Sequence, residues 1–187
     1  ATGFKASAWN LSRDSKPFAA DIPAIIAGGL ATGNMRAGSR YAGPEESTAY
    51  EIGFKGNWST TSLYLALFDQ EIEGFQSNIF TGTGFFLANA GKQSTKGIEV
   101  DAMWMPSDAW QLTFGGAWLD PKYDSFEQGE GVDGPEDLSG TDVPGVHKVN
   151  ISASATWFFD LGSINSFLRG EYVYNDKVQV IENVPAA

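Results

Sequence analysis

Residues 97–118, GIEVDAMWMPSDAWQLTFGGAW, hold two alternating segments joined by a tight turn. In the first, Ile98, Val100, Ala102 and Trp104 share a face, and Gly97, Glu99, Asp101 and Met103 share the other. A period of two is what a strand needs to put one side in an apolar setting and the other in a polar one. Pro106-Ser107-Asp108 supplies turn residues. Leu112, Phe114 and Trp118 then alternate with Gln111, Thr113 and Gly115. The pair predicts an antiparallel hairpin with one greasy face and one polar face.

The same pattern recurs on both sides of it. Tyr50, Ile52 and Phe54 oppose Glu51, Gly53 and Lys55, and Val149, Ile151, Ala153, Ala155 and Trp157 oppose Asn150, Ser152, Ser154 and Thr156. Seven strands are expected, over residues 1–9, 50–55, 62–77, 97–104, 110–123, 149–157 and 166–178. From Ser62 to Phe68 both faces are apolar, so the lipid-facing side of that strand stays open. Turns near 55–61, 105–109 and 159–165 are short; connections near 10–47, 78–90 and 124–146 are rich in Gly, Ser and acids and too long for ordinary hairpin loops. Short turns at one end and long loops at the other are the periplasmic and extracellular ends of an outer-membrane barrel. The expected fold is all-β: an antiparallel up-and-down transmembrane β-barrel segment, about seven strands of a larger barrel. Trp58, Trp104, Trp110, Trp157, Phe158 and Phe159 flank the short turns, and Trp9, Trp118, Tyr123, Tyr172 and Tyr174 lie toward the long loops. Two such groups fit the aromatic girdles of a membrane barrel; the alternative is a set of strand residues filling the core of a soluble sandwich.

Composition agrees without deciding. Gly 22, Pro 8 and 13% aromatic residues favour a β-rich chain, and a hydrophobic fraction of 42% suits a soluble protein and a wet-lumened barrel equally. The longest apolar run, residues 22–31, is broken by Pro23, Gly28 and Gly29 and falls short of the roughly 20 residues of a spanning helix. No cysteine is present, so disulfides and thiol chemistry are excluded. A net charge of -11 with only 12 Lys and Arg disfavours nucleic acid as a partner.

No catalytic constellation is found, no cofactor is expected, and an enzyme is not expected. His147 is the only histidine, and neither a zinc cluster nor a triad can be built around it. The glycines at 28, 29 and 33 follow no strand and precede no Lys-Ser or Lys-Thr, unlike a phosphate cradle. Asp124, Glu127, Glu130, Asp133, Glu136, Asp137 and Asp142 stand in one loop with no base among them; a solvated acidic loop is the default, calcium the alternative, and the spacing does not match an EF-hand. No metal site is assigned. Residues 10–43 carry Arg13, Lys16, Arg36 and Arg40 against Asp14 and Asp21. Arg suits carboxylate or phosphate through its bidentate fork, and an aromatic ring stacks on planar ligands. Arg13, Arg36, Arg40 and Tyr41 are therefore the candidate ligand-binding residues.

Several segments resemble the β-barrel domain of TonB-dependent receptors. They are ATGFKASAWN at 1–10, PEESTAYEIGFKGNW at 44–58, ANAGKQSTKGIEVDAMWMP at 88–106, GGAWLDPKYDSF at 115–126 and LSGTDVPGVHKVNISASATWFF at 138–159. Each is similar to a family strand or its approach, in family order; His147 stands where the family usually has Pro. Barrels of this class have about 22 strands around a plugged lumen. Residues 1–187 would then be part of such a barrel domain, a fragment from its C-terminal part, with no plug, TonB box or terminal aromatic in view. The resemblance implies energy-coupled uptake, across the outer membrane of a Gram-negative bacterium, of a scarce nutrient such as a ferric siderophore, haem, cobalamin or glycan. The implied partners are outer-membrane lipid, the TonB complex acting through the absent plug domain, and a small-molecule nutrient or metal chelate. Glu51, Lys55, Glu99, Asp101, Asn150, Ser152 and Thr156 would face the plug or water. The rivals are a passive porin-like barrel and a soluble carbohydrate-binding β-sandwich with exposed Trp rings.

Overall fold

The computed structural model describes residues 1–9, 23, 41–80, 85–127, 129–131 and 134–180. Its elements are all strands: β1 (Thr2–Lys5), β2 (Ala8–Trp9), β3 (Tyr41–Ala42), β4 (Glu45–Asn57), β5 (Thr61–Glu73), β6 (Gln76–Phe80), β7 (Phe85–Asn89), β8 (Lys92–Ser107), β9 (Trp110–Ser125), β10 (Gly129–Gly131), β11 (Gly134–Glu136), β12 (Val149–Leu161) and β13 (Ile164–Asn175). Seven of them form one sheet in the order β1-β4-β5-β8-β9-β12-β13, with every neighbouring pair antiparallel. This is an up-and-down meander with β1 and β13 as edges. Among the described residues there is no second stacked sheet and no Greek-key crossing, so the sandwich reading is set aside.

Register turns the alternation into faces. Directly paired residues point to the same side of a sheet, so Ile52, Leu67, Ile98, Trp118 and Val149 form one apolar row across five strands. The next rows on that face are Phe54, Leu65, Val100, Gly116, Ile151 and Tyr174, then Gly56, Leu63, Ala102, Phe114, Ala153 and Tyr172. The open question over residues 62–68 is thereby answered: Leu63, Leu65 and Leu67 join the apolar face, while Ser62, Tyr64, Ala66 and Phe68 join the other. Among the described residues nothing covers the apolar face: Ile52 is 72% exposed, Leu67 44% and Trp118 49%. A soluble sheet would bury this side.

The strands run further than the alternation indicates. β8 begins at Lys92 rather than near 97, and β4 begins at Glu45 rather than near 50, because backbone pairing continues after the side chains turn polar. The strand expected over 62–77 is instead broken at Gly74, whose φ of 64 is a left-handed conformation natural to glycine. Beyond that turn, β6 and β7 pair as a separate hairpin, so the connection near 78–90 has its own two-stranded structure. The strand expected over 1–9 is split into β1 and β2, and β2 pairs with β3 across the first long connection, while β10 pairs with β11 inside the third.

Two aromatics sit elsewhere than expected. Tyr123 lies five positions beyond Trp118, hence on the opposite face, and is buried with Phe75, Phe126 and Leu138; Ile72, Ala90 and Val143 pack against this cluster. Phe158 has the opposite parity to Trp157 and Phe159 and pairs with Phe167 on the polar face. A compact apolar cluster among the described residues thus lies at the root of the long connections, where β9 gives way to the acidic segment. It is held by Leu138 N–H donating to Phe126 O at 2.8 Å and Gly140 N–H donating to Tyr123 O at 2.6 Å.

Candidate functional site

The polar face is built from the residues interleaved with the apolar rows. Lys55, Tyr64, Asp101, Gly115 and Ser152 form one row, and Gly53, Ala66, Glu99, Ala117 and Asn150 another. A cavity of about 320 Å³ opens on the first, lined by Lys55, Tyr64, Asp101, Thr113 and Ser152 among others. The Tyr64 hydroxyl lies 3.5 Å from Glu51 Oε1, and the hydroxyls of Thr113 and Ser154 are 2.6 Å apart. The residues assigned from sequence to the polar set, Glu51, Lys55, Glu99, Asp101, Asn150, Ser152 and Thr156, all fall on this one face. Small side chains make room there. A Cβ on Gly97 would stand 2.4 Å from the Phe68 ring, and one on Gly115 would stand 2.9 Å from Ser152 Oγ.

At the end of the sheet bearing the long connections, the apolar face passes into a band of ion pairs. Asp69 and Lys96 are 3.6 Å apart, and Lys92 lies 2.7 Å from Glu71. Asp142 takes Lys122 at 2.5 Å and Lys148 at 2.6 Å. These two ammonium groups hold the Asp142 carboxyl below the ordinary carboxylate range. Asp137 is lowered by its hydrogen bonds from the Ser139 side chain and N–H. The segment expected to be a plain solvated acidic loop is therefore anchored at its far end by charge and at its root by the Phe126–Leu138 packing. The partners of Asp142 lie 20 residues before it, on β9, and six after, just ahead of β12, so no local signal reveals the network.

Of the candidate ligand-binding residues, Arg13, Arg36 and Arg40 lie outside the described residues. Tyr41 is placed by its backbone only, opposite Trp9 in the β2–β3 pair. His147 is a rim residue: its Nδ1 lies 2.6 Å from the Asp176 carbonyl oxygen. Among the described residues, no three His, Asp or Glu side chains are grouped to hold a metal ion. Sequence reasoning missed the polar contacts of Asn89 and Gln76 at this rim, which join residues far apart in the chain.

A family model described as TonB dependent receptor-like, beta-barrel, matches residues 1–185. No curated protein sequence matches. Among solved structures, the ferric yersiniabactin uptake receptor FyuA from Yersinia pestis is similar at 20% identity over 90% of this chain and 21% of that one, with a TM-score of 0.60. BauA, the ferric preacinetobactin receptor from Acinetobacter baumannii, is 18% identical over 78% of this chain and 21% of its own, at a TM-score of 0.56. The FrpB iron transporter from Neisseria meningitidis is 20% identical over 71% of this chain and 19% of its own, at 0.50. At these identities the likeness speaks for the fold. The chain spans about a fifth of the length of the structures it matches.

Proposed function

Because the chain belongs to the TonB-dependent receptor β-barrel family, a family of receptors and not of enzymes, we propose that it forms one sector of the wall of an outer-membrane receptor in a Gram-negative bacterium. The receptor takes up a scarce nutrient with energy from the TonB complex. The observation that carries this reading is the division of one seven-stranded sheet into an uncovered apolar face and a polar face, register by register. The apolar rows meet lipid, the polar rows face the lumen, and the ends with short turns lie in the periplasm. Residues 1–187 are part of the barrel domain, and the plug through which TonB acts is a separate domain.

The nutrient is a metal chelate, and the ferric siderophore receptors among the similar folds support a ferric complex over haem, cobalamin or a glycan. Arg13, Arg36 and Arg40, with Tyr41, form the landing site if the complex is anionic, since opposite charge raises encounter rates and Arg grips carboxylates in pairs. Uptake of radiolabelled ferric complexes, haem, cobalamin and oligosaccharides by cells making the complete receptor, with and without TonB, tests the function. TonB-dependent entry of one of them is expected; entry that persists without TonB identifies a passive pore. Replacing Arg36 and Arg40 by Ala together tests the landing site. Binding of the transported solute should weaken several-fold, by less at high salt, and unchanged affinity at low salt removes these residues from the site.

A further inference from the structure

We infer that Asn89 and Gln76 form a side-chain clasp that ties the roots of the first two long connections into one mechanical unit. Asn89 ends β7. Its Oδ1 accepts from Gly43 N–H at 2.6 Å, and its Nδ2 donates to Gly43 O at 3.1 Å and to Gly74 O at 2.6 Å. An amide that meets both polar groups of one residue replaces a strand partner. Gly43 needs such a partner because it is buried and lies between β3 and β4, outside both ladders. Gln76, the first residue of β6, completes the arrangement. Its Nε2 donates to Gly43 O at 2.8 Å and to Ala6 O at 3.0 Å, and its N–H donates to Glu45 Oε1 at 2.6 Å. Glu45 also holds Lys5 Nζ at 2.8 Å.

Lys5 and Ala6 stand where the chain enters the first long connection, and Gly43 and Glu45 where it leaves. Both ends are therefore gripped by the β6–β7 hairpin, although the β2–β3 and β6–β7 pairs belong to separate sheets. Lys5 and Glu45 pair within the β1–β4 ladder, but among the described residues no ladder joins β2–β3 to β6–β7. The two side-chain amides and one carboxylate do, and the left-handed turn at Gly74 sets the carbonyl that Asn89 needs. A displacement of the hairpin, as when a solute settles on the rim, carries Gly43 and Ala6 with it. The clasp stands on this geometry alone and does not require any particular solute.

Hydrogen exchange of the complete receptor in detergent micelles, read in peptides spanning residues 41–45 and 74–78, tests it. Asn89→Ala should speed exchange by tenfold or more in both peptides together, with the β8–β9 ladder unchanged. Asn89→Asp keeps the acceptor for Gly43 N–H but loses both donors, and should fall between the two. Acceleration confined to residues 41–45 overturns the proposal, because Asn89 would then be a local cap; so does no acceleration at all. Should Asn89→Ala loosen the β8–β9 ladder as well, Gln76→Ala decides. It must speed exchange at 41–45 while leaving that ladder alone, and a protected Gly43 there also overturns the clasp. Nutrient uptake does not enter this measurement, so its failure and a failure of the receptor reading are separately visible.

Discussion

Gly91 has no room for a side chain. A Cβ there would stand 1.8 Å from the carbonyl oxygen of Ser125, a backbone atom that cannot swing aside. It lies beside the register shift at Lys92 and Gln93, where β8 and β9 cease to pair evenly. Gly91→Ala should therefore destabilise the barrel by roughly 1–3 kcal/mol, as overpacking does, read as a lower urea midpoint in the complete receptor; an unchanged midpoint would show that the strand ends there yield freely. Asp142 makes a second prediction at this scale. Its carboxyl is lowered, first by the hydrogen bond from Lys122 and then by that from Lys148. A depressed carboxylate contributes stability that is present above its unfolded pKa and is lost as pH falls through the folded one. The contact of residues 141–143 with β9, which includes Tyr123 N–H donating to Thr141 O at 3.0 Å, should hold from pH 7 to 5. It should loosen only below about pH 4, the unperturbed carboxylate value. Hydrogen exchange corrected for intrinsic rates measures this, and Asp142→Asn should be loose at every pH. Loosening of the wild type between pH 7 and 5 would assign the anchor to another group.

A strand's period is legible because every second residue meets the same medium, and the rows led by Ile98, Val100 and Ala102 follow directly from GIEVDAMW. Residues 62–68 were not legible, for a reason the register supplies. Phe68 lies on the polar face over Gly97, which leaves it space, so an apolar residue stands where alternation predicts a polar one. The β6–β7 hairpin was hidden because the break at Gly74 depends on backbone conformation and on Asn89, fifteen residues on. The candidate ligand residues came from charge counting alone, which names Arg36 and Arg40 without placing them. Where the pattern is clear it makes a sharp prediction. Ala153 shares the apolar face with Phe114 and Tyr172, and Ser152 shares the polar face with Asp101. Ala153→Arg should cost about 2–4 kcal/mol near the bilayer midplane, whereas Ser152→Arg should cost much less. Reversal of that order in urea titrations of the complete receptor in bilayers would mean that lipid meets the other face.

At the scale of the whole chain, the described sheet has no means of closing on itself. β1 and β13 are separate edges, and an open edge presents a row of unpaired N–H and C=O groups ready to pair with another chain. Along β13, Phe167, Leu168, Tyr172 and Val173 are each at least 60% exposed. One face adds Ile52, Leu67, Ile98 and Trp118 in a continuous row, far more contiguous apolar surface than a soluble monomer of this size ordinarily shows. Among the described residues, the buried cluster of Phe75, Tyr123, Phe126 and Leu138 lies at the root of the long connections, on the face opposite the apolar rows, and shields none of those rows. Three sources of association therefore coincide: two edges and a greasy face. Residues 1–187 made alone and refolded from urea into detergent-free buffer should come out as oligomers or aggregates, with light-scattering masses well above the 20.1 kDa of the chain. Adding the remaining strands of the barrel together with detergent should suppress this, because neighbours satisfy the edges and detergent covers the face. A monodisperse 20.1 kDa species in plain buffer would mean that the chain covers its apolar rows by a fold other than this sheet, and the lipid-facing assignment would fall with it.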